Sequence, residues 1–142
     1  MKDYSKAQFE ANDAKAREAF KALTKDTIVV EGGKFEVDLI CIRKDKSVYF
    51  VDVEVSSKAF KNMESFCYPK VNFLAKKKKY LELGEFYYIL FSSDFKAYIT
   101  GTSEVFKEEY LVQNITCTDN KGKKYLDDVY QVPKEQIYFR RL

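Results

Sequence analysis

The sequence contains no histidine among its 142 residues. This absence excludes every mechanism that requires an imidazole base, including Ser-His-Asp and Cys-His nucleophile activation, and it removes the commonest zinc ligand. Any catalysis by this chain must therefore use carboxylates, lysines, hydroxyls or a hard metal ion.

Cysteine and long apolar runs are also scarce. Cys41, Cys67 and Cys117 are odd in number and form no C-x-x-C pair, so their spacing indicates neither a disulfide framework nor a zinc site. No apolar run approaches the ~18 residues of a membrane span, and the polar N-terminus lacks the apolar segment of a signal peptide. We therefore expect a cytoplasmic protein with reduced cysteines and no membrane partner.

Aromatic and charged residues are abundant instead. The 12 Phe and 11 Tyr supply enough buriable area to exclude a disordered chain, and the length corresponds to one domain. Lys and Arg exceed Asp and Glu by 25 to 22, a net charge of +3. Because this excess is too small to indicate nucleic-acid binding, the placement of the charges matters more than their sum.

The hydrophobic pattern predicts a single α/β domain over residues 1–142, of the α+β kind with a mixed sheet. An amphipathic helix is expected over 4–23, and Pro69 and Gly84 suit the start and stop of a second helix. A short helix is expected near residues 103–109. The expected strands, two of which form a C-terminal hairpin, cover residues 27–30, 34–43, 47–57, 85–91, 96–100, 111–118 and 124–132.

Two adjacent predicted strands become acidic near the middle of one face. Because strand side chains alternate between faces, Glu36 and Asp38 share one face of the first strand, and Asp52 and Glu54 share one face of the second. A hairpin that sets Asp38 beside Glu54 requires a compensating cation, since like charges on neighbouring strands repel. Mg²⁺ is the natural candidate. The alternative is that these acids solvate the open face of a half-exposed sheet.

Lysines are concentrated in the second predicted helix. Lys70 and Lys76–Lys79 give five lysines within ten residues. A lysine stripe beside an acidic metal site can hold a DNA backbone through its phosphates. Four consecutive lysines (Lys76, Lys77, Lys78 and Lys79) cannot all point one way, so at most two or three contact one duplex. The alternative is a solvated helix face.

The order of these elements and acids resembles the PD-(D/E)xK nuclease superfamily, whose core is αβββαβ. Phe35-Glu36-Val37-Asp38 is similar to its first acidic segment, and Val53-Glu54-Val55-Ser56 is similar to its (D/E)-x-K segment, with 15 residues between Asp38 and Glu54. The resemblance covers residues 4–91. It implies a restriction-endonuclease-like core there, with a C-terminal β-hairpin extension over residues 92–142.

The resemblance implies a Mg²⁺-dependent deoxyribonuclease, with Mn²⁺ as a substitute metal and DNA as the partner. Asp38, Glu54 and the main-chain carbonyl of Val55 would bind the ion. The family motif has lysine two residues after the second acid, where this chain has Ser56. The candidates for the catalytic lysine are Lys58, on the same strand face, and Lys70, at the start of the next predicted helix.

Several alternatives remain open at this point. The acidic pair could instead be Asp52-Val53-Glu54, with Glu54 where lysine belongs, and Asp13 of the first helix could add a metal ligand. The loss of the motif lysine favours a catalytically inactive member of the same fold that binds DNA or protein. An unrelated α+β interaction domain is the third alternative. Because many superfamily members dimerise to cut two strands, the resemblance also leaves a homodimer open.

Overall fold

The structure, a computed structural model, describes residues 14–24, 28–31, 37–118 and 123–142. These residues form a mixed α/β fold of the α+β kind, with helices packed on mixed and antiparallel sheets. Helix α1 covers residues 14–23, within the helix predicted over 4–23. Residues 4–13, including Asp13, lie outside the described part. None of the described helices combines the length and hydrophobicity that crossing a membrane requires.

After α1, the described residues form strands and short 3-10 helices. The strands are β1 (Ile28–Glu31), β2 (Leu39–Ile42), β3 (Val48–Val55), β4 (Lys70–Leu74), β5 (Phe86–Phe91), β6 (Ala97–Gly101), β7 (Leu111–Thr118), β8 (Lys124–Pro133) and β9 (Tyr138–Arg141). The 3-10 helices are Ala75–Leu83, Ser103–Phe106, Glu108–Tyr110 and Lys134–Gln136.

Six strands form a mixed sheet in the order β1-β2-β3-β5-β6-β9. All neighbours in it are antiparallel except β3 and β5, which run parallel. Parallel neighbours require a crossover connection, and here the crossover contains β4 and the 3-10 helix Ala75–Leu83. The prediction of a mixed sheet is therefore confirmed.

The prediction of a second helix over residues 69–83 is wrong in its first part, whereas residues 75–83 are helical and end at Gly84 as predicted. Residues 70–74 form β4, which pairs antiparallel with β8. Val71 and Phe73 are buried and Asn72 between them is exposed, which is the two-residue period of a strand. The following residues form a 3-10 helix of nine residues, long for a helix type that rarely exceeds four. In this segment only Tyr80 is buried.

The C-terminal hairpin is confirmed, because β7 pairs antiparallel with β8; its turn, residues 119–122, lies outside the described residues. Strand β8 also pairs with β4, so β4, β8 and β7 form a second, three-stranded sheet. Strand β9 was not predicted, and it pairs with β6 at the edge of the six-stranded sheet.

The six-stranded sheet has a hydrophobic cluster on each face. Helix α1 packs on one face, where Ala16 and Phe20 meet apolar side chains of β2, β3 and β5. The three-stranded sheet covers the other face. There the ring of Phe73 packs edge-on against the ring of Tyr88, with 5.0 Å between centroids. The face of β3 that bears Asp52 and Glu54 is therefore an inner face between two layers.

Asp38 lies at a bend immediately before β2. Phe35 and Glu36 lie outside the described residues. Strict alternation along the strand predicted over 34–43 would place Val37 and Leu39 on the same face. In the structure, Leu39 packs with α1, whereas Val37 packs in the cluster between the two sheets. The alternation therefore breaks at Asp38, and its side chain turns toward the backbone of β3.

Candidate active site

The hairpin of β2 and β3 brings Asp38 beside Asp52. Leu39 pairs with Val51 in this hairpin, so the register extends to a pairing of residues 38 and 52. The Asp38 N–H donates to Asp52 Oδ1 at 3.0 Å, and the Val53 N–H donates to Asp38 Oδ2 at 2.9 Å. Each carboxylate thus accepts a hydrogen bond from the other strand, and this reciprocal pair holds the two acids together.

Lys77, from the 3-10 helix Ala75–Leu83, forms an ion pair with Asp52 Oδ2. The Asp52 side chain is 1% exposed and that of Lys77 is 20% exposed. Apart from this contact with the ammonium group of Lys77, Oδ2 accepts no hydrogen bond from the described residues. Burial opposes the charged form of Lys77, yet Asp52, Glu54 and Asp38 attract it strongly enough to raise its pKa. The cation that adjacent carboxylates require is therefore supplied by this lysine.

Glu54 lies two residues beyond Asp52 on the same face of β3, and its side chain is half-buried. Burial raises the pKa of the Glu54 carboxyl, while Lys77 and a hydrogen bond with the Tyr88 hydroxyl oppose this shift. Tyr88 is 1% exposed, and burial together with Glu54 raises its pKa well above the ordinary value. The phenol therefore keeps its proton at neutral pH and donates it in the hydrogen bond to Glu54. A shifted carboxyl beside a charge partner is typical of functional sites, although structural networks produce it too.

Asp38 and Glu54, the two acids expected to bind metal, have different hydrogen-bond partners, and both contribute to the raised pKa of Lys77. Asp38 meets Asp52, whereas Glu54 contacts Tyr88 and pairs in register with Leu90 of β5. The side chain of Val55 packs in the cluster beneath α1.

The two candidate catalytic lysines, Lys58 and Lys70, are exposed. Both line a groove of about 720 Å³ between the two sheets, at the end of β3. Ser56 lies in the same groove. No ion pair of either lysine with an acid is present in the described part of the chain.

The lysines of the run 76–79 diverge, because the segment is a 3-10 helix. Lys77 points inward to Asp52, and Lys76 lies 4.0 Å from an oxygen of Asp127 on β8. The ammonium groups of Lys78 and Lys79 lie over the rings of Tyr130 and Tyr80, at 5.9 and 5.2 Å from the centroids. They do not form one stripe.

Asp38 and Asp52 are residues of the type that binds Mg²⁺ in proteins. Magnesium is commonly held by one or two carboxylates, with waters and substrate phosphate as the remaining ligands. Asp38 and Asp52 bring two carboxylates together, and an ion bound at Asp52 Oδ2 would have to take the place of the Lys77 ammonium group there. Within the described residues, no group of three or more Cys, Asp or Glu side chains is placed to hold a metal ion.

The sequence pattern did not single out Asp52 as the partner of Asp38, nor Lys77 as the cation between the acids. The sequence does contain an indication of Asp52, because residues 38 and 52 are equally far from Asp45. A hairpin whose turn is centred on Asp45 therefore pairs them across the two strands. Lys77 had no signal of its own within four consecutive lysines. Neither a protein-family model nor a curated protein nor a solved structure matches this chain.

Proposed function

We propose that the chain is a metal-dependent nuclease that hydrolyses phosphodiester bonds in DNA. The observation that supports this most directly is the juxtaposition of Asp38 and Asp52, on neighbouring strands, with the ammonium group of Lys77. Two carboxylates and a lysine are the residue types that the PD-(D/E)xK resemblance requires. Here the lysine comes from the crossover segment, in place of the motif position occupied by Ser56.

The strand directions support the same proposal. Strands β1, β2 and β3 form an antiparallel meander, and β5 adds parallel to β3, as an αβββαβ core requires, with α1 on one face. The departure lies in the crossover, where β4 and a 3-10 helix stand in place of the second α-helix. The restriction-endonuclease-like core is therefore part of the proposal.

In this proposal the carboxylates of Asp38 and Asp52 hold the ion. Bound Mg²⁺ supplies a water of lowered pKa and neutralises charge on the phosphate. The Lys77 ammonium would stabilise the negative charge that develops on the phosphate oxygens. Glu54 lies two residues beyond Asp52 on the same face of β3, and burial raises the pKa of its carboxyl, so it would suit the role of proton acceptor for the attacking water.

A second candidate function is binding of DNA without hydrolysis. It is favoured by the burial of Asp52, which is 1% exposed beneath the ammonium of Lys77. In that case the ion pair is a structural element of the inner face, and the lysine takes the place of the metal.

The test is cleavage of supercoiled plasmid and of single-stranded DNA in Mg²⁺, Mn²⁺ or EDTA. The variants are Asp52→Asn, Asp38→Asn and Lys77→Gln, each checked for folding by circular dichroism. Lys79→Gln is the matched control, because Lys79 is an exposed lysine of the same 3-10 helix. We expect metal-dependent cleavage that falls at least ~100-fold in the three site variants, the usual loss when an electrostatic stabiliser is removed, and that persists in the control.

Two results would contradict hydrolysis. The first is the absence of cleavage by the wild type in either metal, and the second is cleavage that Asp52→Asn leaves intact. DNA binding that persists without cleavage, in wild type and Asp52→Asn alike, would support the second candidate function.

A further inference from the structure

We infer that the groove beside β3 binds a single-stranded segment of DNA, an inference that rests on the proposed function and names its substrate. The groove has a volume of about 720 Å³ and lies between the two sheets. One wall is the segment that follows β3, with Ser56 and Lys58, and the other wall includes Lys70, Asn72 and Gln131 of the three-stranded sheet.

The groove is suited to an anion. Among the described residues, the charged side chains that line it are Lys58 and Lys70, with no Asp or Glu. Neither lysine forms an ion pair within the described ranges of the chain, so both ammonium groups are available for phosphate oxygens. The neutral side chains of Asn72 and Gln131 add hydrogen-bond donors and acceptors. A nucleic-acid chain carries phosphates with polar groups between them, and such a chain therefore matches the lysines and amides that line the groove.

Both walls are fixed by backbone hydrogen bonds. The Ser56 N–H donates to the Phe91 carbonyl at 2.8 Å, and the Ser93 N–H donates to the Lys58 carbonyl at 3.0 Å. On the other wall, the Lys134 N–H donates to the Pro69 carbonyl at 3.0 Å. Because both walls are already ordered, little binding free energy is spent on ordering them when a ligand binds.

Tyr68 indicates a single strand with accessible bases. It lines the groove, it is 51% exposed, and its ring is supported by an edge contact with buried Phe66, with 6.1 Å between centroids. An exposed aromatic ring beside lysines is the combination by which proteins stack the bases of a single strand. The volume falls in the range of pockets for small ligands, which suits one or a few nucleotides and excludes the body of a duplex.

The groove adjoins the acidic site. Ser56 follows Glu54 by two residues, and Leu90, another lining residue, is the register partner of Glu54 on β5. A strand held by Lys58 and Lys70 therefore passes next to the face that bears Glu54 and Asp52.

The test is fluorescence anisotropy of labelled single-stranded and duplex 12-mers in EDTA, so that binding is measured without cleavage. The variants are Lys58→Gln, Lys70→Gln and Tyr68→Ala. Lys46→Gln is the matched control, because this exposed lysine lies at the opposite end of β3. We expect tighter binding of the single strand than of the duplex, a salt slope reduced by about 0.7 for each groove lysine removed, and binding weakened roughly 5- to 150-fold by Tyr68→Ala.

The inference is overturned if the groove variants bind as the wild type does, if the duplex binds more tightly, or if a free mononucleotide binds as tightly as the 12-mer. These outcomes are distinct from failure of the proposed function. Cleavage that depends on Asp52 but not on Lys58, Lys70 or Tyr68 would reject the groove alone. Single-strand binding that depends on the groove, without cleavage in any metal, would reject hydrolysis alone.

Discussion

Replacement of Lys77 by methionine tests the central contact of the site. Methionine keeps most of the length and apolar area of the side chain but removes the ammonium group that contacts Asp52 Oδ2. The variant therefore leaves a carboxylate that is 1% exposed with one described hydrogen bond, from the Asp38 N–H at 3.0 Å. We expect a large loss of stability.

The magnitude follows from the burial of the charge. Removing one partner of a buried ion pair costs about 3–5 kcal/mol, because the remaining charge is left uncompensated. This is a large part of a typical unfolding free energy of roughly 5–15 kcal/mol. For a chain of this size, the melting temperature should fall by roughly 6–20 °C. Exposed Lys79, replaced by methionine in the same helix, should change the unfolding free energy by no more than about 0.5 kcal/mol.

The assay is urea unfolding followed by circular dichroism, since the chain has no tryptophan. The double variant Asp52→Asn/Lys77→Met completes a double-mutant cycle, and we expect it to be more stable than Lys77→Met alone, because it removes the uncompensated charge as well. The reasoning is refuted if Lys77→Met is no more destabilising than Lys79→Met, or if the two site substitutions are additive.

Two further predictions concern the inner face and its packing. Burial raises the pKa of Glu54 above its ordinary value of 4.5, so its ionisation destabilises the folded state as the pH rises above that value. Glu54→Gln should therefore gain stability relative to the wild type as the pH rises, by no more than about 1.4 kcal/mol per pH unit. A pH-independent difference between the two in urea titrations would contradict this. A Cβ atom at Gly101 would lie 2.8 Å from Cε1 of Phe73, closer than the ~3.5–4.0 Å of an ordinary carbon contact. Gly101→Ala should therefore cost about 1–3 kcal/mol in thermal unfolding, partly recovered by Phe73→Leu, and a neutral effect would show that β6 and β4 do not pack as described.

Much of the fold could be predicted from local pattern. All seven expected strands contain or overlap observed strands, because strong alternation or a buried apolar run dictates a strand; they were expected at 27–30, 34–43, 47–57, 85–91, 96–100, 111–118 and 124–132. The segment 69–83 could not be assigned in this way. Its apolar residues fit a helical period as well as a strand period, and what decided between them was pairing with β8, more than 50 residues away.

The chemistry available to this protein could be read from its amino-acid sequence. The absence of histidine restricts it to carboxylates, lysines and hydroxyls, and Asp38, Asp52 and Glu54 were all identifiable as acids interrupting apolar strands. Even the pairing of Asp38 with Asp52 follows from a turn centred on Asp45, because hairpin register is set by the turn.

The cation that meets those acids, in contrast, is selected by tertiary packing. Lys77 reaches Asp52 because β4 pairs with the C-terminal strand β8 and places the following 3-10 helix over the inner face. Lys58 and Lys70, nearer to the motif in sequence, lie instead in the groove. Contacts between distant segments depend on long-range pairing and packing, and no local pattern in a single sequence specifies them.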